Sequence, residues 1–260
     1  MKKTLITLLA LAGVACGDEG TLTKMYSFET LKTTMLGQGN ISIDSETYDQ
    51  AVYLCSAGPY YKYNSSTTTL DIGEILTGVT ANTSITFAAW IKPTTDTYQY
   101  LISWGEDGKG FKWGINSGNV CLTTKGIKDW HSSDTKITAG AWNLIATTIT
   151  YDGSNWDIIN RCIDIEGNGT TATFSDKAFN DPDGDAVMGL LSASVSSGTE
   201  NFKGELASMG VFRSEGAGTA VTNAAIFEAM GAAPVLLPEP ATATLSLLAL
   251  AGLAVRRRRK

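Results

Sequence analysis

Between Asp18 and Gly231 the chain runs in short segments whose side chains alternate in polarity, most closed by a turn rich in glycine, asparagine or aspartate. A period of two places successive side chains on opposite faces of a strand, so these segments are expected to form sheets. Ser84 to Ile91 puts Ile85, Phe87, Ala89 and Ile91 on one face, and Phe111, Trp113 and Ile115 alternate with Lys112 and Gly114. Trp142 to Tyr151 is apolar or threonine at nearly every position, the mark of an internal strand covered on both faces. Gly204 to Arg213 is expected to turn Ala207, Met209 and Val211 one way and Leu206, Ser208 and Phe212 the other. Turns are expected at Gly105 to Gly108, Asn116 to Asn119, Tyr151 to Ser154 and Asp181 to Asp185. Many short strands with such turns, in a chain of 27 glycines and six prolines, point to a β-sandwich or barrel. One short helix is expected near the end, capped by Thr222, facing the sheet with Ile226, Phe227 and Met230 and stopped by Gly231. No period of 20 to 50 residues recurs, which argues against a solenoid or propeller.

The order of these segments resembles the laminin G-like and concanavalin A-like jelly rolls. Tyr26-Ser27-Phe28-Glu29 resembles their first strand, Ile85 to Pro93 their tryptophan-bearing strand, and Gly140 to Thr148 the next, with Asn143 where histidine is common. Phe202 to Ala207 resembles the closing strand, and the capped helix follows it in the expected place. The resemblance spans about residues 24 to 231 and departs most between Asp152 and Phe179, where the family's hairpin is not apparent. It implies an all-β fold, an antiparallel β-sandwich of the concanavalin A-like jelly-roll type, over residues 18–231 with one short C-terminal helix.

The two ends read differently from the body. Lys2 and Lys3, an apolar run from Leu5 to Ala15, and Cys16-Gly17-Asp18 have the layout of a secretory signal peptide over residues 1–17. Gly13 to Cys16 also faintly resembles a lipobox, with lipidated Cys16 as the alternative outcome. Residues 232–237 read as a linker. Then come Pro238, Glu239 and Pro240, an apolar helix over 241–255, and the basic cluster Arg256, Arg257, Arg258, Arg259 and Lys260. These three parts in this order resemble the PEP-CTERM sorting signal of Gram-negative bacteria, here residues 238–260. The resemblance implies an exosortase-like processing enzyme and the secretion machinery as partners, and delivery to the cell surface or extracellular matrix. The physics is consistent with it, since basic clusters stay cytoplasmic. Fifteen residues, apolar apart from Thr242, Thr244 and Ser246, give a helix of roughly 22 Å against a hydrocarbon core of about 30 Å, which suits transient insertion.

Charge narrows the partners. Seven of the 20 basic residues sit at the two ends; the 13 that remain face 25 of the 26 acidic ones, Glu239 lying in the tail, so the body carries a net charge of −12. Such a body repels nucleic acid, so no nucleic-acid partner is expected. His131 is the sole histidine, which leaves little room for a His-based zinc site or a catalytic triad.

Three chemistries are open to the body. Tyr60, Tyr61, Tyr63 and Trp130 are candidates for stacking on sugar rings, with core packing as the competing role; Tyr53, Tyr98, Tyr100, Trp104 and Trp156 belong to the same pool. Asp181, Asp183 and Asp185 crowd three carboxylates around Gly184, a candidate Ca²⁺ turn, with a solvated acidic loop as the alternative. Cys162-Ile163-Asp164-Ile165-Glu166 has the spacing of the family-16 glycosidase motif, but cysteine stands where that motif has its nucleophilic glutamate, so no catalytic residue is assigned. The expectation is a non-catalytic surface or matrix protein that binds glycan, exopolysaccharide or protein. The alternatives are a glycoside hydrolase of the same fold and a structural exopolymer component.

Overall fold

The computed structural model describes residues 23–27, 41–44, 46–55, 61–63, 79–105, 108–180, 188–191, 200–214 and 221–237. They form an antiparallel β-sandwich with one short helix. The larger sheet runs in the order β12 (Gly169–Lys177), β11 (Trp156–Ile163), β10 (Asn143–Tyr151), β5 (Ser84–Pro93), β14 (Gly204–Ser214), β3 (Val52–Cys55) and β2 (Ile41–Asp44), and β1 (Thr23–Ser27) pairs with β14. The smaller sheet runs β4 (Tyr61–Tyr63), β13 (Met188–Leu190), β6 (Gln99–Trp104), β7 (Phe111–Asn116), β8 (Asn119–Thr124) and β9 (Lys128–Lys136). The signal-peptide segment, the sorting segment, Phe28 and Glu29 of the first-strand match, and the acidic turn at 181–185 lie outside the described residues.

The core between the sheets follows the alternation read from the sequence. Ile85, Phe87, Ala89 and Ile91 of β5 meet Phe111, Trp113 and Ile115 of β7, all buried. Burial of this apolar surface is the main driving force of the fold. Ala88 and Trp90 of β5, with Leu144 and Ala146 of β10, face outward into a second cluster. The helix α1 (Asn223–Met230) closes that cluster with Ile226. Thr222 caps it, accepting from the backbone N–H of Ala225 at 3.2 Å, and Gly231 ends it at φ 73°.

Two expectations need correction. Strict alternation puts Leu206 with Ser208 and Phe212, yet it packs inward with Met209 and Val211, while Ala207 joins Phe212 outside. The register of β14 on β5 slips between Leu206 and Ser208, and that bulge shifts the alternation by one residue. The missing hairpin between Asp152 and Phe179 is present as β11 and β12, joined by the turn at Asp164 to Asn168. Its apolar signal is weak because β11 carries Asn160 and Arg161 at buried positions and β12 is an edge strand exposed along most of its length.

Segment 232–237 is tied to the sandwich. Backbone N–H groups of Asp49 and Leu237 donate to the carbonyls of Val235 and Thr47 at 3.0 and 2.7 Å. The Val235 N–H donates to Asp49 Oδ1 at 2.8 Å, Gln50 Nε2 to Ala232 O at 3.1 Å, and Trp90 Nε1 to Gly231 O at 2.9 Å. Tyr48 and Leu236 form an isolated antiparallel bridge.

Candidate functional site

The two outer faces of the sandwich differ in kind. That of the eight-stranded sheet is apolar where helix α1 covers it. That of the six-stranded sheet carries polar side chains across four strands, and the register lines them up in two rows. Ser103, Lys112, Thr123 and Asp129 face one another in the first, and Tyr100, Gly114, Cys121 and His131 in the second.

Hydrogen bonds weld the rows into one lattice. Thr123 Oγ1 donates to Asp129 Oδ1 at 2.6 Å, and Asn116 Nδ2 to Asp129 Oδ2 at 3.0 Å, so both carboxylate oxygens are engaged. Ser117 Oγ donates to Asn116 Oδ1 at 2.9 Å, which fixes the orientation of that amide. Tyr100 starts on β6 and reaches over β7 to place its hydroxyl 3.2 Å from Thr123 Oγ1 on β8. The crossing is possible because β7 presents Gly114 there, with no side chain in the way. Lys112 Nζ sits 4.3 Å from the centre of the Tyr100 ring and pairs with Glu200 at 2.9 Å. At the base the lattice is buried, with Tyr100, Asn116, Cys121 and Thr123 at 7% exposure or less; at the top Glu200 and His131 are exposed and Lys112 and Asp129 half-buried. Burial holds the Tyr100 hydroxyl well above the usual phenol range, with nearby Cys121 adding to the shift, so this hydroxyl stays neutral and keeps its proton to donate.

The sequence-based candidates scatter. Trp130 lies on β9 and β4 carries Tyr61 and Tyr63, and these strands are the opposite edges of the six-stranded sheet. Tyr60 lies outside the described residues, as do Asp181, Asp183 and Asp185. Trp130 is half-buried and seals the seam between edge strands β9 and β12. Its ring lies 5.9 Å from Phe174, its Nε1 donates to Thr124 Oγ1 at 2.9 Å, and the ammonium groups of Lys128 and Lys177 flank it at 5.1 and 4.8 Å. Tyr53 and Tyr100 are buried, whereas Tyr98, just before β6, is 48% exposed. Among the described residues no group of three or more His, Cys, Asp and Glu is placed to hold a metal ion. Asn180, which precedes the acidic turn, is stapled to two loops: its Nδ2 donates to Gly108 O at 3.1 Å and to Lys125 O at 3.2 Å.

The glycosidase-like spacing is not displayed on a strand. β11 ends at Ile163, and Asp164 and Glu166 fall in the following turn. Asp164 Oδ1 accepts from the backbone N–H groups of Glu166 and Asn168, both at 2.9 Å. That carboxylate organises a turn, and its Oδ2 and Glu166 Oε2 lie 3.4 and 3.5 Å from the same donor, Asn168 Nδ2.

The lattice residues escape a motif search because each occupies the polar phase of an alternating strand. Lys112 and Gly114 between Phe111, Trp113 and Ile115 were the one visible hint of that face.

The three cysteines of the body are free. Burial pushes the thiols of Cys55 and Cys121 up to about 12 and that of Cys162 up to about 11. At pH 8 the reactive thiolate is therefore roughly one part in 10³ or less at each site. Native protein treated with iodoacetamide at pH 8 is expected to show no adduct on these cysteines by mass spectrometry, and three after unfolding in urea. Rapid native labelling of Cys121 would remove it from the buried lattice.

No protein-family model matches the chain, and no curated protein sequence is similar to it. Among solved structures, the chain is similar to the Ruminococcus gnavus IT-sialidase CBM40 bound to alpha2,3 sialyllactose, at 15% identity and a TM-score of 0.46, covering 80% of this chain and 100% of that one. It is similar to Domain 4 of AbnA, a GH43 extracellular arabinanase from Geobacillus stearothermophilus, in complex with arabinotriose, at 13% identity and a TM-score of 0.43, covering 72% and 80%. It is also similar to the botulinum neurotoxin serotype D binding domain, at 16% identity and a TM-score of 0.42; the match covers 72% of this chain and spans 43% of that one.

Proposed function

We propose that this chain is an exported, non-catalytic glycan-binding protein whose ligand lies on the outer face of the six-stranded sheet. One observation carries the reading: the hydrogen-bonded lattice of Tyr100, Asn116, Thr123 and Asp129, topped by Lys112 and Glu200, on a face not closed by the helix. The buried bonds of Tyr100, Asn116 and Thr123 hold the accessible groups at the top, Asp129, Lys112 and Glu200, in fixed directions before a ligand arrives, which lowers the cost of ordering them on binding. A sugar offers hydroxyls in matching directions and an apolar ring face, and exposed Tyr98, just before β6, supplies a surface for that face. Export rests on the terminal segments: a signal peptide at residues 1–17, and a sorting segment at 238–260 processed by an exosortase-like enzyme. The body is then delivered to the surface or matrix of a Gram-negative bacterium.

The test is binding of the purified body to an array of oligosaccharides, with product release monitored in parallel. Binding without release is expected, and Asp129→Ala or Tyr98→Ala should weaken it by about tenfold or more. Tyr98 is a surface residue whose replacement leaves the fold intact, so unchanged affinity in both variants, or no binding to any sugar, defeats the reading.

A further inference from the structure

The tail leaves the sandwich with almost no slack. Residues 232–237 have the composition of a linker, but the hydrogen bonds to Thr47, Asp49, Gln50 and Trp90 fix the chain to the body as far as Leu237. Between Leu237 and Ala241, where the apolar run begins, stand Pro238, Glu239 and Pro240. Four fully extended steps reach at most about 14 Å. The headgroup layer on each side of a bilayer is roughly 5–8 Å deep. Once the apolar run is inserted, the anchored strap therefore stands at the lipid headgroups.

The residues at this exit suit that position. Val235, Leu236 and Leu237 are 60%, 62% and 44% exposed, a run of three large apolar side chains turned to solvent. The fifteen-residue apolar run is about 8 Å too short for the hydrocarbon core. A segment that is too short thins the bilayer or draws its flanking residues into the interface. On the far side the flank is a run of arginines, held at the interface by charge; on the near side it is this apolar strap.

We infer that Val235, Leu236 and Leu237 form a membrane-contact surface that seats the folded sandwich directly on a lipid bilayer while the tail is inserted. The inference rests on reading residues 241–255 as membrane-inserting and is independent of glycan binding. Asp49 accepts from the Val235 N–H, and Asp44 accepts from the N–H of Thr47, the residue that binds Leu237 and follows Glu46, so acidic groups border the exit and the surface suits a zwitterionic lipid better than an anionic one.

The experiment uses the full chain with Cys16→Ser and an environment-sensitive fluorophore on Leu236→Cys, mixed with phosphatidylcholine vesicles. The native thiols compete little for label, since Cys55 and Cys121 are buried and half-buried Cys162 has its thiol pushed up to about 11. A probe on Ile127→Cys, 42% exposed in the β8–β9 turn of the opposite sheet, is the aqueous control. The expected result is co-flotation with vesicles, a blue shift at position 236 and none at 127. A flexible insert of about ten residues between Leu237 and Pro238 should reverse the shift. Co-flotation with position 236 still reporting water overturns the contact surface and leaves the tail reading standing. Failure to float overturns the tail reading and the contact surface with it.

Discussion

Asn160→Leu should destabilise the sandwich by about 3 kcal/mol or more and lower Tm by roughly 6–12 °C. Leucine keeps the branched four-atom skeleton of asparagine but is larger, so overpacking adds to the loss of hydrogen bonding at this fully buried site. Asn160 is fully buried on β11 of the larger sheet, yet it bonds across the core. Its Nδ2 donates to Trp130 O at 2.8 Å and to Val120 O at 3.2 Å, both on the smaller sheet. Its Oδ1 accepts from Thr147 Oγ1 at 2.7 Å, and Thr147 Oγ1 in turn accepts from Trp113 Nε1 at 2.9 Å. The substitution withdraws the amide from two carbonyls and leaves the Thr147 proton facing a methyl group. Each buried polar group left without a partner costs about 1–3 kcal/mol, and three are affected. The damage should also reach the lattice, because Trp130 O belongs to the residue beside Asp129. Urea unfolding of the variant checks the first claim and its affinity for glycan the second. A loss below about 1 kcal/mol shows that the two sheets do not depend on this bridge.

The alternation of β5 and β7 was legible because those strands have apolar residues on the core side at every second position. The same reasoning lost the phase of β14 at Leu206, since a bulge has no signature in the order of polar and apolar residues. It lost the β11–β12 hairpin for a different reason. At Asn160 and Arg161 burial is compensated by hydrogen bonds: Arg161 Nη1 donates to Thr148 Oγ1 at 2.7 Å and Nη2 to Val221 O at 2.8 Å. Polarity predicts exposure only where no partner waits inside. The strap at 232–237 is the same lesson in reverse. Alanine, proline and leucine in sequence resemble a tether, and what anchors them is backbone hydrogen bonding to residues almost 190 positions away.

The candidate site was less legible than the fold. Aromatic residues drew attention because sugars stack on rings, yet ring chemistry serves cores equally well. Tyr53 is buried and Trp130 seals a seam. The lattice uses threonine, asparagine, aspartate and lysine, each common on any strand surface. Only the register that sets Lys112 beside Thr123, and Thr123 beside Asp129, makes them a unit, and register is a property of pairing between distant segments.

Gly114→Ala should cost about 2–4 kcal/mol and abolish the proposed glycan binding together with the Tyr100–Thr123 contact. Gly114 needs no unusual backbone angle; its constraint is space. A Cβ there would lie 2.3 Å from Gln99 O and 2.6 Å from Tyr100 Cα. Both are backbone atoms of β6, brought close where the register of β6 on β7 slips between Tyr100 and Ile102. No rotamer change relieves such a clash, so β6 must move away from β7, and Tyr100 moves with it. The contrast is Gly108→Ala, where φ is +75° and nothing lies within 4 Å of the added carbon. That variant should lose only the roughly 1–2 kcal/mol of a left-handed non-glycine residue and keep its affinity. Measured side by side by urea unfolding and glycan binding, Gly114→Ala should be the more damaging on both counts. The reverse order, or a Gly114→Ala protein that binds normally, would mean that the approach of β6 to β7 does not build the site.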